Sequence, residues 1–175
     1  MSASARFSDP EQGFYVLTVQ WSIISESLTH SLDAKGEHGY GSLIRGRRGS
    51  LTSFHHNLWA NHAARMPRPG NYDVPEIDPI GPLVDFRSNV SIIGAARIRA
   101  TTPTRPRARY NFIDNAYVAG PQSKKPVAFD ESTMLAKAWF AGNSMNGGIP
   151  AGSWSFVTAW HPRAIASPHR STSGR

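Results

Sequence analysis

Several residue types and segments are missing from this chain of 175 residues. It has no cysteine, which excludes disulfide bonds and zinc sites built from thiolates. No apolar run approaches the roughly 20 residues that a membrane-spanning helix needs, so we expect no transmembrane helix and no membrane partner. The start, residues 1–6, lacks the apolar centre of a secretory signal and encodes no recognisable export address.

Acidic residues are also few, with 12 Asp and Glu against 19 Lys and Arg, and the net charge is +7. The excess is local. The basic residues of two short stretches account for it: Arg97, Arg99, Arg105, Arg107, Arg109, Arg163, Arg170 and Arg175. Elsewhere the two signs nearly balance, so the basicity does not characterise the folded part, and we expect no nucleic-acid partner.

The pattern along the chain predicts short strands separated by polar turns. Residues 1–13 are polar and we expect a disordered end. Residues 14–24 are β-branched and aromatic, which predicts one strand. Residues 42–44 predict a short strand, and residues 51–54 begin the central stretch of the sequence, residues 54–70.

A phenylalanine followed three residues later by an asparagine recurs along the chain. The four copies are Phe54 with Asn57, Phe86 with Asn89, Phe112 with Asn115, and Phe140 with Asn143. Trp21 and Ile24 suggest an earlier copy, and the intervals between copies are then 33, 32, 26 and 28 residues. Recurrence at about thirty residues is typical of solenoid proteins.

Stacked copies of this pattern give a physically consistent structure. Aromatic rings would fill the core, and asparagines at the bends would form a hydrogen-bonded ladder through Asn57, Asn89, Asn115 and Asn143. Short strands without helical periodicity favour an all-β parallel β-helix over a βαβ sheet. An antiparallel β-sandwich is the alternative. Surplus residues must loop out from the stack, and the loop of residues 60–82 carries Arg65 and Arg68.

Three segments together resemble the pectate lyases of polysaccharide lyase family 1. They are Val19 to Glu26, His38 to Ile44, and the series His55-His56-Asn57 followed by Ala64-Arg65-Met66-Pro67-Arg68. Later residues, such as Asp85 to Val90 and Arg109 to Phe112, resemble the strands that follow in that family. The resemblance covers roughly residues 17–90 and 108–150.

The resemblance implies a right-handed parallel β-helix over residues 14–156, truncated at its N-terminal end. It implies β-elimination of α-1,4-linked galacturonan, with calcium as cofactor and acidic polysaccharide (polygalacturonate) as partner. We also expect a monomer, secreted or periplasmic as in that family. The family's base, which removes the proton from C5, falls on Arg65.

The remaining site residues follow from the same resemblance. A second, substrate-binding arginine often lies five residues after the base, where this chain has Gly70, so Arg68 is the nearest candidate. His62, expected on the loop, and Lys35 are further candidates for substrate binding. Glu26 and Asp33 are candidate calcium ligands, although the acidic segment that binds calcium in the family has no match here.

Two segments depart from the resemblance. Residues 91–107 and the tail, residues 157–175, are biased toward Ala, Arg, Thr and Pro. Our hypothesis is that both come from a shifted reading frame, which predicts an aberrant basic loop and a disordered tail. If the frame is intact, a basic nucleic-acid binder remains a rival class, beside a non-catalytic β-helix that binds acidic polysaccharide.

Histidines and tryptophans of the central stretch receive structural roles. His55 and His56 are adjacent, and adjacent strand residues point to opposite faces, so the pattern predicts that they cannot chelate one ion. Trp59, Trp139 and Trp154 are expected to pack in the core or at strand edges.

Overall fold

A computed structural model describes residues 2–7, 15–30, 32, 34, 36, 39–46, 50–71, 73–93, 99–100, 107–121, 123, 128–131, 135–155 and 157–159. Over these residues the protein is all-β, with strands labelled β1 to β16 in chain order and no helix. All strand pairs are parallel except one, so the prediction of an all-β fold with parallel strands is confirmed.

The largest sheet has six strands. In spatial order they are β1 (Ser2–Phe7), β2 (Tyr15–Gln20), β5 (Leu51–His55), β8 (Leu83–Arg87), β11 (Ala108–Ile113) and β14 (Ala136–Ala141). From β2 to β14 every pair is parallel, while β1 runs antiparallel to β2. The register aligns one inward position of each parallel strand: Val19, Phe54, Phe86, Phe112 and Phe140.

A second parallel sheet has five strands, and each directly follows a strand of the first in sequence. They are β3 (Ile23–Ser25), β6 (Leu58–His62), β9 (Val90–Ile93), β12 (Ala116–Ala119) and β15 (Ser144–Met145). The pairing of β6 with β9 contains a bulge at Asn61. Because both sheets repeat the same order, each pass of the chain adds one strand to each sheet.

Two smaller parallel sheets complete the described structure. One has the order β10 (Arg99–Ala100), β13 (Phe129–Glu131) and β16 (Val157–Ala159), and the other pairs β4 (Leu43–Gly46) with β7 (Arg68–Asn71). In sequence, β4 lies between β3 and β5, and β7 lies between β6 and β8. The pairing of β4 with β7 positions the segment that carries Arg65.

The bend from the first sheet to the second is the same in every pass. One residue with left-handed backbone makes each bend: Trp21 (φ 51°), His56 (φ 56°), Ser88 (φ 51°), Asp114 (φ 54°) and Gly142 (φ 63°). The next residue is buried in each case. Since left-handed backbone is unfavourable for residues with a Cβ, the surrounding hydrogen bonds must fix these bends.

An asparagine ladder supplies those hydrogen bonds. The Nδ2 atoms of Asn57, Asn89 and Asn115 donate to Oδ1 of the next asparagine at 3.1, 3.1 and 3.0 Å, and the ladder ends at Asn143. Each Oδ1 also accepts the backbone N–H of the preceding ladder residue, as from Asn89 to Asn115 at 3.0 Å. The buried amides of the bends are therefore satisfied, as buried polar groups need to be.

Aromatic rings fill the space between the sheets. Ring centroids lie 6.4 Å apart between Phe54 and Phe86, 5.4 Å between Phe86 and Phe112, and 5.5 Å between Phe112 and Phe140. Phe129 from the third sheet packs edge-on against Phe112 at 4.6 Å. All of these rings are buried, so the aromatic column is the core of the protein.

The first copy of the repeat differs from the prediction. Val19, not Trp21, pairs with Phe54, and Ser22, not Ile24, donates its backbone N–H to Asn57 Oδ1 at 3.0 Å. Trp21 is the bend residue itself, and its side chain is 70% exposed. The predicted single strand over residues 14–24 is accordingly divided into β2 and β3 at this bend.

Three segments with predicted boundaries contain strands in part, and the predicted boundaries themselves stay predictions. Within the start, Ser2–Phe7 form β1, while residues 1 and 8–14 lie outside the described residues. The basic segment 91–107 contributes Ser91 to Ile93 to β9 and Arg99 to β10. The tail contributes β16, while residues 160–175 lie outside the described residues.

Candidate functional site

Arg65 lies in the turn between β6 and β7, and backbone hydrogen bonds hold this turn. Its carbonyl accepts the N–H of Ser42 at 2.7 Å, and the carbonyl of Ala64 accepts the N–H of Gly41 at 2.9 Å. Arg65 itself has left-handed backbone (φ 64°). Because such a conformation is unfavourable for arginine and is kept by its surroundings, the direction of the side chain is set by the fold.

Close packing explains why the turn can be held so near residues 39–42. A Cβ on Gly41 would lie 2.6 Å from the Arg65 carbonyl oxygen and 2.9 Å from His62 Cδ2, so only glycine fits. Trp59 is fully buried and donates from Nε1 to Ser42 Oγ at 3.0 Å. Met66 is also fully buried. Core side chains on both sides therefore anchor the turn.

The guanidinium of Arg65 stacks on an aromatic ring. Its Cζ lies 4.3 Å from the ring centroid of Tyr40, and both residues are partly exposed. A cation over the face of a tyrosine is stabilised by about 0.5–1 kcal/mol at an exposed site. The contact orients the guanidinium.

The β4–β7 pair places two further arginines beside this turn. Arg68 pairs with Leu43, and Arg45 pairs with Gly70. Ile44 is buried in the core, so its strand neighbours Leu43 and Arg45 lie on the opposite face of β4, where Leu43 is exposed and Arg45 is half-buried with a buried Nε. Paired residues of parallel strands share a face, which places Arg68 on that face as well.

Arg45 is the residue that sequence reasoning missed. In register it lies next to Gly70, the position where the pectate lyases often have their second arginine. Leu43, Ile44 and Arg45 alternate as residues of a strand do, so the sequence could have placed Arg45 on the face opposite Ile44. Placing Arg45 near Arg65 also requires knowing that β4 pairs with β7, and the sequence does not give that pairing.

His62 differs from its predicted position on the loop. It is the last residue of β6, only 2% exposed, and both ring nitrogens have partners. Nδ1 lies 2.8 Å from Ser27 Oγ, and Nε2 lies 2.8 Å from the carbonyl oxygen of Ile24. The imidazole joins β6 to β3 and to the segment after β3, so in this conformation it presents no nitrogen to a ligand.

The predicted calcium ligands are only partly described. Glu26 is exposed, and its carboxylate accepts a hydrogen bond from Asn61 Nδ2. Asp33 and the predicted substrate-binding Lys35 lie outside the described residues. Among the residues that are described, no three His, Asp or Glu side chains converge on one point. Calcium takes 6–8 oxygen ligands, so these described residues alone do not fit the ion.

Two arginines on the outward face of the largest sheet have partners within the described residues. Arg87 donates to both carboxylate oxygens of Asp85 at 2.6 Å, and Asn111 Nδ2 donates to the same carboxylate at 3.2 Å. The hydrogen bond to Asp85 raises the pKa of Arg87, although burial opposes it. Burial lowers the pKa of Arg109, whose Nη2 donates to the Gly81 carbonyl at 3.1 Å.

His55 and His56 do not point to opposite faces, contrary to the prediction. Only His55 belongs to β5, while His56 is the left-handed residue of the bend. The change of backbone conformation brings both rings to the same exterior surface, where their Nδ1 atoms lie 2.9 Å apart. The period-two rule fails here because it applies only inside a strand.

Comparison with known proteins assigns no family to the chain. No protein-family model matches it, and no curated protein gives a significant match. Within the described part of the chain, no helix is long and apolar enough to cross a membrane. The resemblance to pectate lyases stays a prediction from motifs, and the function that follows from it is a proposal.

Proposed function

We propose that the described strands are the successive turns of a right-handed parallel β-helix. Three observations support this fold. Each parallel strand of the first sheet pairs with the strand of that sheet that follows next in sequence, and the strands of the second sheet pair in the same order. The bends between the two sheets share one backbone conformation. The asparagine ladder and aromatic column run through the same passes. A stack of this kind offers a rigid outer surface from which turns project.

On this scaffold we infer a lyase that cleaves acidic polysaccharide, of the polygalacturonate type, by β-elimination. The observation that carries the proposal is the fixed turn of Arg65, with its guanidinium on Tyr40 and with Arg45 and Arg68 on one face of the adjoining β4–β7 pair. Guanidinium groups match carboxylates in shape and charge, and several on one rigid surface suit a polymer that carries one carboxylate on every sugar.

The chemistry requires positive charge at a defined place. A base removes the proton from C5, next to the carboxylate, and the electron pair forms the C4–C5 double bond as the glycosidic oxygen leaves C4. Negative charge builds up on the carboxylate during proton removal. Cations fixed before the reaction stabilise this charge without reorganisation, which is the largest contribution in many enzymes. We assign the base to Arg65 and the binding of carboxylates to Arg68 and Arg45.

Calcium is not needed for any of these assignments. Glu26 provides one carboxylate, and further oxygen ligands for an ion would have to come from Asp33 or from the carboxylates of the polymer itself. We therefore propose calcium only as an ion bound jointly by protein and substrate. The assay is therefore run with and without added calcium.

A second function is favoured by the contact with Tyr40. A guanidinium held on the face of a tyrosine is a fixed cation, the kind of group that binds a carboxylate. If Arg65 acts only in this way, the site binds acidic polysaccharide without cleaving it. Product formation separates the two functions, because the lyase alone releases the unsaturated product.

The direct test compares the wild-type protein with Arg65→Ala, Arg65→Lys and the control Arg107→Ala on polygalacturonate. Arg107 has an exposed side chain in the basic stretch, and its carbonyl accepts a hydrogen bond from Asn71, at the end of β7 far from the turn. Ultraviolet absorbance of the unsaturated product measures cleavage, with and without added calcium. We expect both Arg65 variants to lose at least about 100-fold in rate, the scale of a general base, and the control to retain activity.

Binding of polygalacturonate without product formation would support the non-catalytic function instead. Activity that survives Arg65→Ala would overturn the proposal for this residue. Binding to duplex DNA that weakens steeply with salt, and that Arg107→Ala reduces, would support the nucleic-acid class.

A further inference from the structure

His55 and His56 form an exposed pair that the proposed lyase does not use. Their Nδ1 atoms lie 2.9 Å apart, with ring centroids at 5.2 Å and ring planes at 88°. This contact is a hydrogen bond, in which one Nδ1 donates its proton and the other accepts. Two imidazole nitrogens this close on one surface also have the spacing of two ligands of one metal ion.

Coordination geometry makes this comparison quantitative. Two nitrogens bound to an ion at about 2.0–2.1 Å and at right angles are about 2.9 Å apart, whereas tetrahedral bonds separate them by about 3.3 Å. The observed 2.9 Å is close to both separations, but it is the length of the hydrogen bond that the ion would replace, so it does not select between the two geometries. The expected preference for Cu²⁺ follows instead from the general affinity order of nitrogen ligands, in which Cu²⁺ exceeds Ni²⁺ and Zn²⁺.

We propose that His55 and His56 form a two-ligand surface site for a transition-metal ion, with Cu²⁺ bound more tightly than Ni²⁺ and Zn²⁺. The ring that donates in the hydrogen bond moves its proton to Nε2, so both rings stay neutral and both Nδ1 lone pairs face the ion. Water molecules complete the coordination, because the described residues provide no third His, Asp or Glu side chain at this point. The site is independent of the proposed lyase activity.

Neighbouring residues restrict the pair in a way that suits binding. Trp21 stacks on His56, with ring centroids 4.5 Å apart and an interplanar angle of 19°. The stack and the hydrogen-bonded bend hold His56, so His55 is the ring that turns toward the ion, and χ2 of histidine is broad enough to allow this. Arg87 lies beside His55 in register, and its charge is offset by the ion pair with Asp85.

Calorimetric titration of the full chain with CuCl₂, NiCl₂ and ZnCl₂ tests the site. We expect one equivalent of Cu²⁺ to bind more tightly than any other equivalent, and to quench the fluorescence of Trp21, the tryptophan in contact with His56. His55→Ala and His56→Ala should each weaken this equivalent at least about tenfold, because losing 1.4 kcal/mol of binding free energy has that effect. His30→Ala, which removes another exposed histidine, should leave it unchanged.

A second variant separates binding from its optical signal. Trp21→Phe should abolish most of the quenching and keep the stoichiometry, because phenylalanine still stacks on His56 but does not report. If Cu²⁺ binds equally well to the His55→Ala/His56→Ala double variant, the ion is held elsewhere and the proposal is overturned. Equal loss after His30→Ala, or tighter binding of Zn²⁺ than of Cu²⁺, would also overturn it. Circular dichroism of each variant verifies that the sheets are retained.

Discussion

Replacing Asn115 by alanine tests how much the asparagine ladder contributes to the free energy of unfolding. Its Nδ2 donates to the Phe86 carbonyl at 2.9 Å and to Asn143 Oδ1 at 3.0 Å. Its Oδ1 accepts the backbone N–H of Asn89 at 3.0 Å and Asn89 Nδ2 at 3.1 Å. The side chain is 1% exposed, so water cannot replace these bonds without opening the bend.

The magnitude follows from the groups that lose their partner. Asn143 Oδ1 keeps the bond from the Asn115 backbone N–H, and Asn89 Nδ2 keeps its bonds to two carbonyls. The Asn89 backbone N–H loses its side-chain partner, whereas the Phe86 carbonyl stays within the paired strands β8 and β11 and keeps their backbone hydrogen bonding. A buried group left unsatisfied costs about 1–3 kcal/mol, so we expect a loss of about 1–3 kcal/mol.

Urea denaturation followed by circular dichroism measures this loss as a shift of the midpoint at unchanged slope. Asn146→Gly is the matched control, because Asn146 is exposed, accepts one hydrogen bond from Ala119, and has a backbone (φ 50°) that glycine tolerates. The control should lose less than about 1 kcal/mol. A loss below that value for Asn115→Ala, with the sheets retained, would refute the account of the ladder.

Asn115→Asp separates hydrogen bonding from volume. The carboxylate has the shape of the amide, but it faces the acceptors Phe86 O and Asn143 Oδ1 that the amide served as a donor. Repulsion and burial raise the pKa of the new carboxyl in the folded state above the unfolded value of about 3.9. A raised folded pKa favours the fold at low pH, so the deficit should shrink as pH falls toward about 4. A deficit that grows on acidification, relative to wild type, would contradict this reasoning.

Two further predictions concern a close contact and a buried hydroxyl. Gly41→Ala should displace the Arg65 carbonyl and lower both the free energy of unfolding and polymer binding. Gly148→Ala is the control and should change neither, because its Cβ would lie 3.4 Å from the nearest atom. Equal effects of the two changes in calorimetry and binding would disprove the packing argument. Tyr117 is fully buried and its hydroxyl has no hydrogen-bond partner among the described residues, so Tyr117→Phe should raise the free energy of unfolding at neutral pH. Burial also raises the pKa of Tyr117, so this tyrosine's contribution to the pH dependence is flat below the unfolded pKa of about 10 and falls above it, and in Tyr117→Phe this alkaline decline should be smaller.

The repeated aromatic and asparagine positions could be predicted from the sequence because two physical demands fix their spacing. In each copy one residue must fill the core, and one must form hydrogen bonds to the buried backbone groups of the bend. The residue with left-handed backbone directly precedes the hydrogen-bonding residue. The same rule, applied by residue type, misplaced the first copy. Val19 and Ser22 meet the demands without resembling Phe and Asn, while Trp21, chosen because it is aromatic, is the exposed bend residue.

The neighbourhood of Arg65 could be predicted only in part. Motif resemblance selected Arg65 and Arg68, and both lie at or beside the same turn. Tyr40 and Arg45 reach this place through pairing with residues about 25 positions later, and local periodicity carries no information on such partners. His62 was assigned to a loop because its sequence context is polar. Its burial depends on Ser27 and the Ile24 carbonyl, which lie in a different pass of the chain.

The uniform bend has a consequence for how this surface can change. Trp, His, Ser, Asp and Gly occupy one equivalent position in five consecutive passes with nearly the same φ. Strand spacing puts these side chains in a row at steps of about 4.7–4.9 Å. Four different side chains and one glycine thus share the same bend, although a Cβ at Gly142 would overlap Asp114 Oδ1 and would require that carboxylate to move. Identical side chains substituted along this row would therefore stand at a regular spacing on the surface. The interior of the protein would not have to be redesigned for such a change.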